Sequence, residues 1–203
     1  MPLHFFNAGE LSYQKGFAAR RQRFLRPILV LLHSLRISPD HVTLASMAVM
    51  LLLPAGIHYG VPWLCVAAYV LHLALDAVDG SLARHLKRNS DAGAYMDAVA
   101  DHFAVLVTSL TLLWFGIRSP FWLAAYTISY MLVIVHVMVL NAHGTPSSVP
   151  VARTRYPFFL LVILYAYGRD VLLIFDVFLM VVTLYYAAML VLYIFHLRWS
   201  LHS

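Results

Sequence analysis

Long apolar runs, interrupted at short intervals by Gly, Pro and charged residues, organise the whole chain. Six of these runs are predicted to cross a bilayer as helices, at roughly 40–59, 62–83, 92–115, 120–141, 155–168 and 171–197, because a span needs about 20 apolar residues. The fifth run is short, and Arg155 and Gly168-Arg169-Asp170 set its ends. Gly60-Val61-Pro62, Ser119-Pro120 and the Gly144–Pro150 stretch mark turns between runs. Ahead of the first run, Phe17–Leu35 mixes Arg20, Arg21, Arg23 and Arg26 with Phe24, Leu25, Ile28, Leu29, Leu31 and Leu32. That mixture predicts an amphipathic juxtamembrane helix over 17–36, either lying in the interface with its basic residues toward lipid phosphates or serving only as a topology anchor. The expected fold is all-α: a polytopic integral membrane protein, one membrane domain over 1–203 with a six-helix transmembrane bundle at 40–199.

Charge then orients the bundle. Lys15, Arg20, Arg21, Arg23, Arg26, Arg36, Arg84, Lys87, Arg88, Arg153, Arg155 and Arg198 fall on one side of the predicted spans, against Arg118 and Arg169 on the other. The positive-inside rule places that side, with both termini and the Asp-rich segment 76–101, in the cytoplasm of a multi-pass cell-membrane protein. A chain that is 62% hydrophobic and 11% charged does not suit a soluble domain of 203 residues. Topology accounts for the net charge of +5, so no nucleic-acid partner is expected. No cleaved leader is expected either, since no short apolar run with a small-residue cleavage site opens the chain. The single Cys65 excludes an intrachain disulfide.

One segment breaks the apolar pattern in a regular way. Residues 76–101 read Asp76-x2-Asp79-Gly80-x2-Ala83-Arg84-x8-Gly93-x3-Asp97-x3-Asp101, in a chain with only nine acidic residues. A charge at membrane depth costs about 2.5–3.5 kcal/mol on insertion scales, so such residues mark a site with partners. On a helix Asp76 and Asp79 share a face, offset by about 4.5 Å along the axis. Gly80 and Ala83 continue that face with almost no side chain, and Gly93, Asp97 and Asp101 form a single stripe on the next helix. The polar stretch between them predicts a turn, which makes the two helices antiparallel neighbours with facing acidic stripes. Asp oxygens suit a hard divalent ion such as Mg2+ or Mn2+. Two facing carboxylate pairs suit two such ions about 3.5–4 Å apart, an arrangement for phosphoryl transfer. A carboxylate not consumed by metal can accept the proton of an attacking hydroxyl. Gly80, Ala83 and Gly93 also have a plainer reading as close-packing residues, and Arg84 as an interfacial anchor. The residues alone point to metal-dependent chemistry on a phosphate.

The pattern, with every fixed position filled, resembles the signature of the CDP-alcohol phosphatidyltransferase family of integral-membrane enzymes. The resemblance implies that Asp76, Asp79 and Asp97 ligate metal, with Asp101 contributing to the metal site and acting as base. It implies that Gly80, Ala83, Arg84 and Gly93 surround the CDP moiety of a CDP-lipid donor. An acceptor hydroxyl would attack the phosphate attached to the lipid alcohol and release CMP. Ile37-Ser38-Pro39-Asp40-His41-Val42-Thr43 resembles the family's Pro-Asn-x-x-Thr motif, with Asp40 in place of Asn. Pro39 and Thr43 carry over, Thr43 beside the nucleotide, whereas Asp40 reads best as the N-cap of the first span.

Arg153 and Arg155 follow the Gly144–Pro150 stretch. Two guanidiniums on the cytoplasmic side can bind a phosphate on a small alcohol acceptor; the other reading is positive-inside anchoring. Family members that use phosphorylated polyols are similar here, so inositol phosphate or glycerol 3-phosphate is the expected acceptor, with serine the alternative. His72, His136 and His143 read as satisfied polar residues in helix interfaces, and Trp63, Trp114, Trp122 and Trp199 as interface belts. A divalent-cation transporter using the same aspartates is the competing class, but no inverted repeat accompanies them. An inactive lipid-binding relative would have lost an aspartate. The family often forms homodimers.

Overall fold

The computed structural model describes residues 8–88, 90–145 and 151–202, which form helices and, among the described residues, no strand. In order these are α1 (Ala8–Ser34), α2 (Pro39–Val49), α3 (Leu52–His58), α4 (Pro62–His85), α5 (Asp91–Trp114), α6 (Pro120–Ala142), α7 (Arg155–Ala166) and α8 (Leu172–His202). The all-α, multi-pass expectation holds. Five segments are long and apolar enough to cross a bilayer: Pro39–His58, α4, α5, α6 and Leu172–Arg198.

Of the six predicted spans, the fifth needs correction and the first carries a break. The first, 40–59, has the length and composition of a span over Pro39–His58 but is divided, since α2 stops at Val49 and α3 starts at Leu52. Pro54 has no N–H for the carbonyl of Met50, and its ring crowds that group. The chain instead passes the break with tighter bonds to the third residue back, Met50 to Met47, Leu51 to Ala48 and Leu53 to Met50, each 3.1 Å. The fifth, 155–168, holds a helix of only 12 residues. At 1.5 Å per residue that is about 18 Å, short of the roughly 30 Å hydrocarbon core. It nevertheless runs from one end of the bundle toward the other. Arg155 at its start pairs with Asp76 and Asp101, while Arg118, in the turn before α6, donates 2.9 Å to the Leu172 carbonyl just after it. Arg118 also pairs with Asp176 at 2.6 Å. Of the predicted turn Gly144–Pro150, residues 146–150 lie outside the described residues.

α1 covers the predicted juxtamembrane segment but begins earlier, at Ala8. It packs on α4. Leu29 is fully buried in a small cluster with Val42, Val78 and Leu82, and Leu25 and Leu32 lie against it. Phe24, Ile28 and Leu31 face outward. The main core lies deeper, where Tyr69 stacks on Phe159 with ring centroids 4.3 Å apart, and Tyr126, Tyr186, Phe158 and Phe175 are fully buried. Cys65 is buried and unbridged. Trp63 and Trp114 are exposed near the ends of α4 and α5, as an interface belt requires; the side chain of Trp199 lies outside the described residues.

Gly56 is what lets α3 lie against α4. A β-carbon there would meet Cys65 Sγ at 2.8 Å, Leu64 Cβ at 3.0 Å and the Cys65 backbone nitrogen at 3.1 Å. Backbone cannot yield as a flexible side chain does, so Gly56→Ala is expected to destabilise the protein by about 1–3 kcal/mol through overpacking. Thermal unfolding in detergent reads this directly; an unchanged midpoint would show that the helices part without cost.

Candidate active site

The entry of the chain into α2 is built by Ser38, not Asp40. Ser38 Oγ accepts from the His41 N–H at 3.3 Å, and His41 Nδ1 accepts from the Ser38 N–H at 3.3 Å, a reciprocal cap. The expectation that Asp40 caps this helix is therefore corrected. Pro39 takes the first helical position, and Asp40 is left exposed in the first turn, where its charge favours the helix N-terminus. One turn on, the Thr43 hydroxyl lies 2.7 Å from Asp79 Oδ2 and 3.2 Å from the Pro39 carbonyl. It has one proton to give, and the shorter, charge-assisted contact is the stronger claim on it. Thr43 thus fixes the rotamer of Asp79, which is 4% exposed.

Acidic residues of α4 and α5 come near one another. Asp97 on α5 lies within Coulombic reach of Asp76 and Asp79 on α4. The turn between them closes α4 through Lys87, at φ 54°, with the Arg88 N–H reaching back 2.9 Å to the Ala83 carbonyl. It starts α5 with Ser90, whose Oγ accepts from the Gly93 N–H at 3.0 Å. α4 and α5 themselves touch little; α2 packs on both and joins them.

Carboxylates this buried need a counter-charge, and for Asp76 and Asp101 it comes from α7. Arg155, 3% exposed, forms an ion pair with Asp101 and places its second terminal nitrogen 3.9 Å from Asp76 Oδ2. That nitrogen also donates to the Tyr156 hydroxyl at 3.0 Å. Arg153 lines a small cleft with Asp101, Ala98, His102, Tyr130 and Ile134. The two arginines thus both lie beside Asp101, Arg155 through its ion pair and Arg153 through the shared cleft.

A buried polar clamp holds the segment carrying them. Tyr186 donates to the Ala152 carbonyl at 2.8 Å and lies 2.7 Å from Thr154 Oγ1, which is 3.2 Å from the Tyr126 hydroxyl. Tyr185 accepts from the Ala152 N–H at 3.1 Å. Sequence reasoning passed over Tyr126, Thr154, Tyr185 and Tyr186. The available signal was that tyrosines inside apolar runs must find a partner for their hydroxyls. His72, one turn before Asp76, is satisfied at one nitrogen only: Nδ1 lies 3.2 Å from the Ser46 carbonyl, whereas Nε2 is buried without a hydrogen-bond partner.

Gly80 is not a packing glycine. A β-carbon there would meet nothing closer than 3.7 Å, and the atoms it would meet are guanidinium nitrogens of Arg84 and Arg21. A β-carbon on Gly93 would meet only Ser90 Oγ, at 3.4 Å. Among the described residues no three carboxylate or imidazole groups stand close enough together to cage a metal ion. Asp79 is turned to Thr43 and Asp101 to Arg155.

No curated protein matches the chain significantly. A family model described as CDP-alcohol phosphatidyltransferase matches residues 36–193, a stretch that takes in Thr43, the whole of the 76–101 pattern, Arg153 and Arg155. The chain therefore belongs to the CDP-alcohol phosphatidyltransferase family.

Proposed function

We propose that this membrane transferase moves the phosphatidyl group of a CDP-lipid such as CDP-diacylglycerol onto a hydroxyl of a phosphorylated polyol, inositol phosphate or glycerol 3-phosphate. The coarser reaction, transfer from a CDP-alcohol, follows from family membership. The choice of acceptor rests on one observation: Asp101 and Arg153 line the same cleft. A carboxylate that takes a proton and a guanidinium that grips a phosphate are what such an acceptor requires. The acceptor oxygen forms a bond to the phosphorus next to the lipid, its proton passes to Asp101, and the anhydride bond breaks with its electron pair leaving on CMP. Gly80, Ala83, Arg84 and Gly93 bound the donor's CDP moiety, and Thr43 supports them by holding Asp79.

In donor chemistry alone Asp76, Asp79, Asp97 and Asp101 suit a hard divalent cation, since they offer only carboxylate oxygen, and holding one would require Asp79 to turn from Thr43 and Asp101 from Arg155. Mg2+ or Mn2+ bound there would offset the charge of the diphosphate and of the leaving CMP. In the proposed orientation both termini and this site face the cytoplasm, where nucleotides and phosphorylated polyols are dissolved.

The test is CMP release from CDP-diacylglycerol by purified protein given Mg2+ or Mn2+ and, in turn, inositol phosphate, glycerol 3-phosphate and serine. A phosphorylated polyol should be the best acceptor, and Arg153→Ala should raise its KM about ten- to a hundredfold at unchanged donor KM. Serine as the preferred acceptor, or an unchanged KM in the variant, overturns the choice.

A further inference from the structure

Arg21 lies on α1, outside the residues 36–193 that define the family match, yet it reaches the centre of the site. It sits one α-helical stripe back from Leu25 and Leu29, at i, i+4 and i+8. Leu29 is fully buried against α4, and Leu25 packs on the same cluster. The stripe that docks α1 therefore carries a half-buried arginine beside its apolar residues. Arg20 and Arg23, off that stripe, are exposed. The docked stripe carries the Arg21 guanidinium to the open face of Gly80. A β-carbon there would lie 3.8 Å from Arg21 Nη2 and 3.7 and 3.8 Å from the two terminal nitrogens of Arg84. Two guanidiniums from two helices thus converge on one bare stretch of backbone. They repel each other, and both lie within Coulombic reach of Asp79.

An anion gripped by both guanidiniums would offset their repulsion, and phosphate suits the planar donor fork of arginine. We propose that Arg21 is a phosphate-binding residue of the donor site, closing with Arg84 over Gly80 on the diphosphate of a nucleotide-linked lipid. The same chemistry would take the phosphate of an anionic lipid headgroup. The nucleotide is favoured because the pair faces Gly80 and Asp79 within the site, whereas Arg20 and Arg23 already present outward charge for the membrane. The glycine follows from the same reading. A methyl at position 80 meets only ordinary contacts, so space for packing does not explain the residue, but the methyl would stand between the helix and a ligand held by both arginines.

This inference rests on the reading of the chain as a CDP-lipid enzyme, and the experiment separates the two. CMP and cytidine are measured as ligands of the full-length protein in neutral phosphatidylcholine nanodiscs. Wild-type protein that ignores CMP would remove the functional reading and this inference with it. If CMP binds, Arg21→Gln should weaken it about 10- to 100-fold and leave cytidine unaffected. Arg21→Lys should fall between, and Arg23→Gln should change nothing. Gly80→Ala should weaken CMP binding without lowering the unfolding temperature. Equal losses for CMP and cytidine would mean that Arg21 only supports the fold, and overturn the proposal. So would unchanged CMP affinity, including the case in which Arg21→Gln alters only the response to phosphatidylglycerol in the nanodisc, which would assign the pair to a lipid headgroup.

Discussion

Asp101→Asn is expected to leave the donor bound and to slow transfer by about 10²–10⁴-fold, the usual weight of a lost proton transfer. The amide keeps the shape of the carboxyl in the cleft that Asp101 shares with Arg153, but it cannot take the proton of an attacking hydroxyl. Arg155 loses its ion-pair partner in this variant and keeps the Asp76 carboxylate at 3.9 Å, so the cluster retains a counter-charge and the protein should still fold. Steady-state CMP release, paired with competition binding of CDP-diacylglycerol, reads the two effects separately. Near-normal turnover in folded protein would remove Asp101 from the role of base.

That the chain is a helical membrane protein was legible because hydropathy needs no partner to be read. Five segments meet the length and composition of a span, close to where the apolar runs lie. What hydropathy could not show was backbone chemistry inside a run. Pro54 is apolar and leaves the first run intact on any sliding window, yet it divides the helix at Met50 and Leu51. α7 failed for the opposite reason. Its run is apolar over 155–168, but helix begins at Arg155, whose side chain turns into the acidic cluster, and ends at Ala166. Helix ends were partly legible. Gly60, Gly116, Gly144 and Gly168 close helices in the left-handed region, and Arg36 and Lys87 do the same at φ 57° and 54°. Nothing in an arginine or a lysine announces that conformation.

The acidic site divides along a similar line. Asp76 with Asp79, and Asp97 with Asp101, follow from helical spacing alone. The contacts that set their rotamers join residues far apart in the chain, such as Thr43 with Asp79, 36 positions away. No periodicity carries that information. Gly80 and Gly56 make the point for small residues. In sequence both are glycines within apolar helices. In the fold, Gly56 is pressed against the Cys65 backbone, whereas Gly80 faces two guanidiniums. Only the second position is free to serve a ligand.

Arg155→Ala should give the largest loss of stability of any change considered, about 3–5 kcal/mol, because it strips the partner from carboxylates already withdrawn from water. Arg155 is 3% exposed and joins α7 to Asp101 on α5 and to Asp76 on α4, so its loss loosens three helices at once. If the cost comes from the stranded carboxylates, relieving one of them should recover part of it. Arg155→Met combined with Asp101→Asn is therefore expected to be more stable than Arg155→Met alone, a coupling that a double-mutant cycle in detergent measures. Arg153→Ala, made in parallel, should spare stability and change the acceptor KM. The pairing is refuted if Arg155→Ala unfolds at the wild-type temperature. Should that variant also show a raised acceptor KM, Arg155 would belong with Arg153 on the acceptor phosphate, and its place among the aspartates would be a resting position that it leaves when substrate binds.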